Sequence, residues 1–461
     1  MHRGWIIRVG LTGGLVCGCN PLVYEQLLED AWVQDDAFDP PTRSNVHGSV
    51  AATFPPGEPG PSSVLMAGDH DGMMVWWGLH PDGTLNAQYP RFEEANALVN
   101  PIQDIRSTRV RGLVRVPAPT RGDSTAVALA AFVSPGEPEK SRIVGIALPT
   151  FVRIDPDPSR DVLNPTVRGS PVPGFGRGLA AINLDADPDD LVEVMVGSEI
   201  GVLIFDSLDR NRPTYAANKA DLPPEAITGA NEPAGYSFTL CENPEITGIA
   251  SGDLLGDEPA FVVADPGGLT LMGTAAEDPV NAVGAPVFAC DLARIAAPED
   301  ATDTFGQALY VDDINADGAT DLVVGDPGGN AVYVYVANAS GLPDEPASIT
   351  PSESARAFGA SIGRADLGGT HDPALVIGAP DSDVDGVPRV GKVFLYDLPG
   401  YQERTVLADL TPEPGSRYGR WAGGVGIDGD RDELVVVGTR GLRVHVAIDA
   451  GDPHPSGAEV D

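Results

Sequence analysis

The sequence predicts an all-β fold built from seven repeated units, and three observations predict it. The 461-residue chain sets 55 Gly and 43 Pro between short Val, Leu and Ile runs, a pattern of many strands and many turns. One order of features recurs: an aromatic–Gly pair, a strand, an acidic loop, a strand ending in Gly, a turn and another strand. Each unit is too small and too one-sided to bury its own core, and four-stranded sheets stacked radially remove that difficulty. The expectation is a seven-bladed β-propeller over residues 44–450, followed by a tail over 451–461.

The N-terminus reads as a processing signal. Arg3 and Arg8 give a basic start, Val9 to Val16 is apolar and small, and Val16-Cys17-Gly18-Cys19 follows. Those four residues resemble the lipobox of bacterial lipoproteins, with Gly18 at −1 and Cys19 as the lipidated residue; an ordinary secretion signal is the alternative. Residues 1–18 are then removed, and 19–43, with Asp35, Asp36, Asp39 and Pro40-Pro41, read as an acidic stalk. No later stretch of 18 apolar residues would span a membrane as a helix.

The strongest copies open at Phe175-Gly176, Phe305-Gly306, Phe358-Gly359 and Tyr418-Gly419. Weaker copies are anchored at Gly48, Gly112 and Gly248. Cys241 and Cys290 remain in the mature chain; an exported chain with one cysteine pair predicts a disulfide, with two buried free thiols as the alternative.

With 29 Lys+Arg against 67 Asp+Glu, the formal charge is −38. The chain lacks the basic face that nucleic-acid binding needs. The same charge repels anionic lipid, so membrane contact is expected through acyl chains alone.

Phe-Gly, then Asp-x-Asn-x-Asp-Gly-x-x-Asp-Leu-Val-Val-Gly, and Gly378-Ala379-Pro380 in the sixth copy resemble FG-GAP repeats, which build the N-terminal propeller of integrin α subunits. The resemblance covers nearly the whole mature chain. It implies a seven-bladed fold of that type, Ca²⁺ in some loops, and binding rather than catalysis.

The residues themselves also read as metal loops. In the fifth copy Asp313, Asn315 and Asp317 occupy positions one, three and five. Gly318 allows the sharp turn, Ala319 offers its carbonyl, and Asp321 closes the shell. Ca²⁺ takes six to eight hard oxygens, and this spacing supplies them. The third copy offers Asn183, Asp185, Asp187 and Glu193, with Pro188 in place of the Gly. The seventh offers Asp428, Asp430, Asp432 and Glu433 in a loop one residue short. The sixth keeps Asp366 and Asp372 but has Gly368 and Thr370 between them, and reads as empty. Its later run from Asp381 to Gly386 begins like a metal loop, yet Arg389 falls at position nine, so a solvated hairpin is expected.

Sharper motifs fail in context. Gly359-Ala360-Ser361-Ile362-Gly363 matches the nucleophile elbow, but a strand follows where a helix is required. Gly386 to Lys392 nearly matches a P-loop, with Val393 where Ser or Thr is needed. Arg121-Gly122-Asp123 reads as an exposed turn. The seven His form no zinc-binding pair. The leading expectation is a non-catalytic lipoprotein of the cell envelope, at the outer membrane or cell surface, binding a protein or glycan on one propeller face. Alternatives are a propeller hydrolase acting on a surface polymer and a structural part of an envelope complex.

Overall fold

The computed structural model describes the strands from Trp32 to Ala447 and, between residues 170 and 439, most of their connections. Residues 185–192, 206–226, 232–235, 244, 257, 275–287, 339–340, 368–372, 410–411 and 427–431 lie outside that description, as do 1–31 and 448–461. Cys19 and both terminal segments therefore fall outside the described residues.

The chain is all-β. The described strands form seven antiparallel sheets of four or five strands and one two-stranded piece, Thr166–Val167 with Ser170–Pro171. The first sheet runs Gly48–Thr53, Ser63–Gly68, Met74–Leu79, Arg91–Glu93. The second runs Arg109–Pro117, Ala126–Val133, Arg142–Leu148, edged by Val152–Arg153 and Val162–Leu163. In the third, Leu179–Ile182, Glu193–Gly197, Gly201–Phe205 and Tyr236–Glu242 are followed outward by Ile227–Asn231. The fourth holds Gly248–Gly252, Ala260–Asp265, Gly268–Thr274 and Phe288–Ala296. The fifth holds Ala308–Asp312, Asp321–Asp326, Ala331–Tyr335 and Ala347–Ile349. The sixth holds Ser361–Ala365, Ala374–Ala379, Lys392–Asp397 and Gln402–Ala408. The seventh combines Trp421–Gly426, Asp432–Gly438 and Gly441–Ala447 with Trp32–Phe38 from the other end of the chain.

The first strand of each sheet lies against the first strand of the next, and that of the seventh lies against that of the first. Four-stranded sheets arranged radially in this way are consistent with a β-propeller.

Period-2 alternation explains the packing. A strand buried on both faces sends alternate side chains to its two neighbours. Leu322 and Val324 join Val262 and Leu271 between the fourth and fifth sheets, while Val323 joins Leu375 and Ile377 between the fifth and sixth. Met195 faces Phe261 and Met272 across the third and fourth; Val194 and Val196 face back toward Ala131 and Ile143 of the second. Each such side chain, fully buried, contributes about 1.5–3 kcal/mol. No sheet covers both of its faces alone, so the sheets stabilise one another in series.

The repeat's signature residues sit at these seams. Phe175, Phe305, Phe358 and Tyr418 are buried, and Phe358 meets Phe394 edge-on with ring centroids 5.2 Å apart. The Gly after each aromatic has φ between 80° and 90°, left-handed geometry that favours glycine. That turn lets the Gly306 amide donate to the Gly325 carbonyl at 2.9 Å, and Gly359 to Gly378 at 3.0 Å. A Cβ on Gly325 would lie 2.1 Å from the Gly359 carbonyl oxygen, and one on Gly378 would lie 1.9 Å from that of Gly419. One glycine thus bonds within its own unit and abuts the backbone of the next.

Three expectations change. Trp32–Phe38, read as stalk, pairs antiparallel with Gly441–Ala447 and is the outer strand of the seventh sheet. The sheet array therefore begins at residue 32 rather than 44, because an outer edge at the chain's end is satisfied by backbone pairing. Gly248 pairs with Ala264 as Ala308 pairs with Gly325, so it corresponds to Ala308, and Glu245-Ile246 takes the aromatic–Gly place. Gly248 is a close-approach glycine, since a Cβ there would lie 2.1 Å from the Gly306 carbonyl oxygen. Gly48 likewise begins a strand, paired with Gly68.

Cys241 and Cys290 are joined by a disulfide (Cα–Cα 5.4 Å) that ties the third sheet to the fourth. Asn243 adds a second link across this seam, donating to Asp265 Oδ2 at 3.2 Å.

Candidate functional site

The acidic loop of the fifth sheet lies at the end opposite the aromatic–Gly turns, because it follows a strand that starts at such a turn. Residues 313–320 connect Asp312 to Asp321, which pair across the strands. The loop winds on itself through Asx turns. Asp313 accepts from the amides of Asp317 at 3.1 Å and Gly318 at 2.9 Å. Asn315 accepts from Asp317 at 2.8 Å, and Asp317 accepts from Ala319 at 2.9 Å. Ala316 (φ 59°) and Gly318 (φ 91°) supply the left-handed turns this winding requires.

Asp321 forms the base of the loop. It is fully buried and accepts from the amides of Ile314 at 3.2 Å and Ala337 at 2.8 Å. Burial pushes its carboxyl above the ordinary value; the Ala337 and Ile314 amides oppose that, and the charges of Asp317 and Asp313 add to it. A bound cation would offset both unfavourable causes. Among the described residues, no three His, Cys, Asp or Glu side chains form a ready metal cluster. The oxygens are turned onto backbone amides, and each carboxylate oxygen keeps a second lone pair. All-oxygen donors around a buried acid fit a hard divalent cation. Asp313, Asn315, Asp317 and Asp321, with the Ala319 carbonyl, would hold it.

The third sheet repeats the base of this loop. Glu193 is buried, and its Oε2 accepts from the Leu184 amide at 2.6 Å, as Asp321 accepts from Ile314. Leu184 and Ile314 are both buried plugs. Asn183 precedes Leu184 as Asp313 precedes Ile314; Asp185 and Asp187 lie outside the described residues. In the sixth sheet Ala374 pairs with Ala365 where the fifth has Asp321 with Asp312, so the closing acid is replaced by a buried methyl. Asp366 is exposed there, and Asp372 lies outside the described residues.

The seventh loop is one residue shorter than the fifth, as its sequence implies: residues 426–432 separate Val425 from Glu433, against 313–320 between Asp312 and Asp321. Gly426 also pairs with Asp432, which carries the strand pairing one step further toward the loop. Asp428 and Asp430 lie outside the described residues, Asp432 opens the strand, and Glu433 pairs across from Val425. By register Glu433 stands opposite Val425 where Asp321 stands opposite Asp312 and Glu193 opposite Ile182, and the buried Leu434 corresponds to Leu322.

Two groups escaped sequence reasoning. Asp326 is buried and accepts from the Thr302 amide at 2.8 Å, from both the Thr302 and Thr304 hydroxyls, and from the Gly329 amide at 3.3 Å. This bundle fixes the turn before Phe305, and the signal was the Thr-x-Thr immediately ahead of Phe-Gly. Arg364 of the sixth sheet reaches Asp312 at 3.2 Å and the Asp313 carbonyl at 3.4 Å, with Tyr310 donating to the same Asp312 oxygen at 2.8 Å. The Arg364 guanidinium so braces the first residue of the 313–320 loop across the seam.

Ser361 is buried, and its hydroxyl donates to the Gly419 carbonyl at 2.9 Å, a seam contact. Asp381 to Gly386 leads into a hairpin: Val384 and Val387 exchange backbone hydrogen bonds of 3.0 and 2.8 Å around Asp385 (φ 52°) and Gly386 (φ 80°). Two successive left-handed residues make a type I′ turn rather than a metal loop. Arg121-Gly122-Asp123 lies outside the described residues.

No protein-family model matches the chain. It is similar to integrin alpha-5 of Xenopus laevis, 33% identical over 134 residues, 28% of this chain and 13% of that protein. It is also similar to integrin alpha-3 of Mus musculus, 38% identical over 104 residues (20% and 9%), and to mouse integrin alpha-7, 28% identical over 227 residues (45% and 17%). The matches span less than a fifth of the length of these relatives. Among solved structures, a chain in the crystal structure of BBS1N in complex with ARL6DN, soaked with lead, aligns over 89% of this chain and 96% of that one. The TM-score is 0.48 and the identity 12%.

Proposed function

We propose that the chain is a seven-bladed propeller of the FG-GAP, integrin α-like type that binds a protein or glycan partner on one face, without catalysis, at the cell envelope. The observation that carries this reading is the radial array itself: seven sheets, each dependent on its neighbours, joined by a strand from each end of the chain. Such an array holds its turns and loops on a rigid frame, which is how binding surfaces are built. The similarity to integrin alpha chains supports the same reading.

In this reading Ca²⁺ occupies the 313–321 loop, with Glu193 anchoring a second site in the third sheet. When bound, the ion neutralises the carboxylates of the loop and cross-links the ends of two strands. Its role is structural. Ser361, the one residue in a nucleophile-like motif, has its hydroxyl committed to the Gly419 carbonyl, which supports a non-catalytic role. Export and lipidation at Cys19 put the propeller on the envelope, with only residues 20–31 between the lipid and the closing strand.

The test is capture of partners from envelope extract by the full mature chain, with and without chelator, followed by mapping of the cross-linked residues. The reading predicts a saturable partner cross-linked to one face. A chain that captures nothing, or that turns over a surface polymer at a site lost on mutation, overturns it.

A further inference from the structure

The turns between second and third strands emerge on the face opposite the metal loop. They span two to four residues in the third, fourth, fifth and seventh sheets, but 380–391 in the sixth, the longest of the seven. This connection is built, not slack. Ser382 is fully buried, its carbonyl accepting from Gly391 at 2.9 Å and its hydroxyl from the Arg356 amide at 3.0 Å. Val390 is buried, and its carbonyl accepts from Tyr418 at 2.7 Å. The tip, Asp385-Gly386, is exposed and held in the I′ turn.

Three arginines from three segments gather at its base. Arg417 Nε lies 3.0 Å from Asp381 Oδ1, Arg389 Nε lies 3.8 Å from the same oxygen, and Arg356 Nη1 lies 3.7 Å from Asp383 Oδ2. Lys392 is paired separately with Glu353 at 2.6 Å. The Arg356 and Arg389 side chains are 67% and 59% exposed, so most of their donors face solvent. Each guanidinium has five N–H donors, and a single Asp contact leaves a fork free for a second carboxylate. Three guanidinium groups around two carboxylates stand out in a chain of net charge −38. The rings of Phe358, Phe394, Tyr396 and Tyr418 are buried, so these four offer no stacking platform for a sugar ring.

We infer that the 380–391 hairpin is the partner-recognition element, and that Arg356 and Arg389 at its base engage carboxylates of an acidic segment of a partner protein. This rests on the partner-binding reading above and names the residues and chemistry of that face. Asp381 and Asp383 pre-orient the guanidiniums; Asp383 also competes with the incoming carboxylate. Exposed arginines on a fixed frame are a common source of binding energy at protein interfaces.

The test uses the full mature chain and a fluorescent hexaglutamate peptide, read by anisotropy at low and physiological salt. Arg356→Gln with Arg389→Gln is expected to weaken binding at least about tenfold, the loss of one charge-assisted contact or more. Asp383→Asn is expected to tighten it, because a competing carboxylate is removed. If the arginines only braced the hairpin, Asp383→Asn would weaken binding as the arginine substitutions do, and the inference would fail. No binding of the peptide by the wild-type chain, or equal binding by the double variant, also overturns it. Arginine-dependent binding of polygalacturonate with none of the peptide replaces the protein partner by an acidic glycan, while the partner-face reading survives. Failure of that broader reading is separate, and shows as an empty capture from envelope extract.

Discussion

Gly325→Ala tests how the sheets are joined. The added methyl would lie 2.1 Å from the Gly359 carbonyl oxygen, 3.0 Å from its carbon and 3.3 Å from Ala308 Cβ. The nearest obstacles are backbone of the next sheet, so relief requires the fifth and sixth sheets to part. Overpacking a tight core costs about 1–3 kcal/mol, and a backbone obstacle places this case near the upper end. Parting would also loosen Val323, Leu375 and Ile377, which share that seam. Gly400→Ala is the control: a Cβ there meets nothing within 4 Å. Reduced freedom of the unfolded chain makes that change neutral or stabilising by about 0.4–1 kcal/mol. The assay is differential scanning calorimetry of both variants. A shift of roughly 2–4 °C per kcal/mol holds for units of 150–250 residues, and less for a longer chain. Gly325→Ala should melt several degrees below wild type and Gly400→Ala at or above it. Coincident melts for the two would refute the seam argument.

Chelation should lower the melting temperature without unfolding the chain, since an extracellular-type site of about 10⁻⁴–10⁻³ M contributes roughly 0.7–1.8 kcal/mol at about 2 mM Ca²⁺. Asp317→Ala should remove most of that shift and Asp366→Ala none; a melt indifferent to ion and chelator, with no metal by elemental analysis, would discard the site. Asp265 has its carboxyl raised by burial, but hydrogen bonds from Arg294, Asn243 and the Gly267 amide, with the Arg294 charge, outweigh that and hold it below 3.8. Its contribution is therefore complete above the unfolded value and lost as pH falls through the lower folded one. Arg294→Gln should flatten that part of the acid limb in a pH series of denaturation curves, and an unchanged limb would count against the ion pair. Replacing Cys241 and Cys290 by Ser should destabilise by at most about 4 kcal/mol, the chain-entropy figure for a loop of this size; denaturant titration of oxidised wild type against the double variant checks it.

The sequence made the repeat legible because the same physical need recurs at each seam. Phe305-Gly306 and Phe358-Gly359 are visible as pairs since each must bury a ring and turn left-handed at once. The acids of 313–321 were legible because their spacing is local. Trp32–Phe38 was not: Asp35-Asp36 interrupts its alternation, and its partner, Gly441–Ala447, lies at the far end of the chain. Gly248 misled because a glycine that admits a neighbouring carbonyl looks the same in sequence as one that turns the chain. The shortness of the seventh loop was legible as a missing residue, whereas the extra pairing of Gly426 with Asp432 is set by strand register. Arg356, Arg389 and Arg417 come from three separate segments, and only the fold brings them to one hairpin.

The array is closed by the N-terminal strand Trp32–Phe38, paired with Gly441–Ala447. Val33 faces Val446 and Gln34 faces His445 in the register. Adjacent antiparallel pairs alternate between wide and close side-chain spacing, so one of the two positions suits a disulfide. Paired Cys substitutions at Val33 with Val446, and separately at Gln34 with His445, should cross-link in one of the two variants. An offset pair, Val33 with Val444, should not. Intramolecular cross-linking in register, seen by peptide mapping, is the predicted result; no cross-link at either position, or one only at the offset pair, would contradict the closed array.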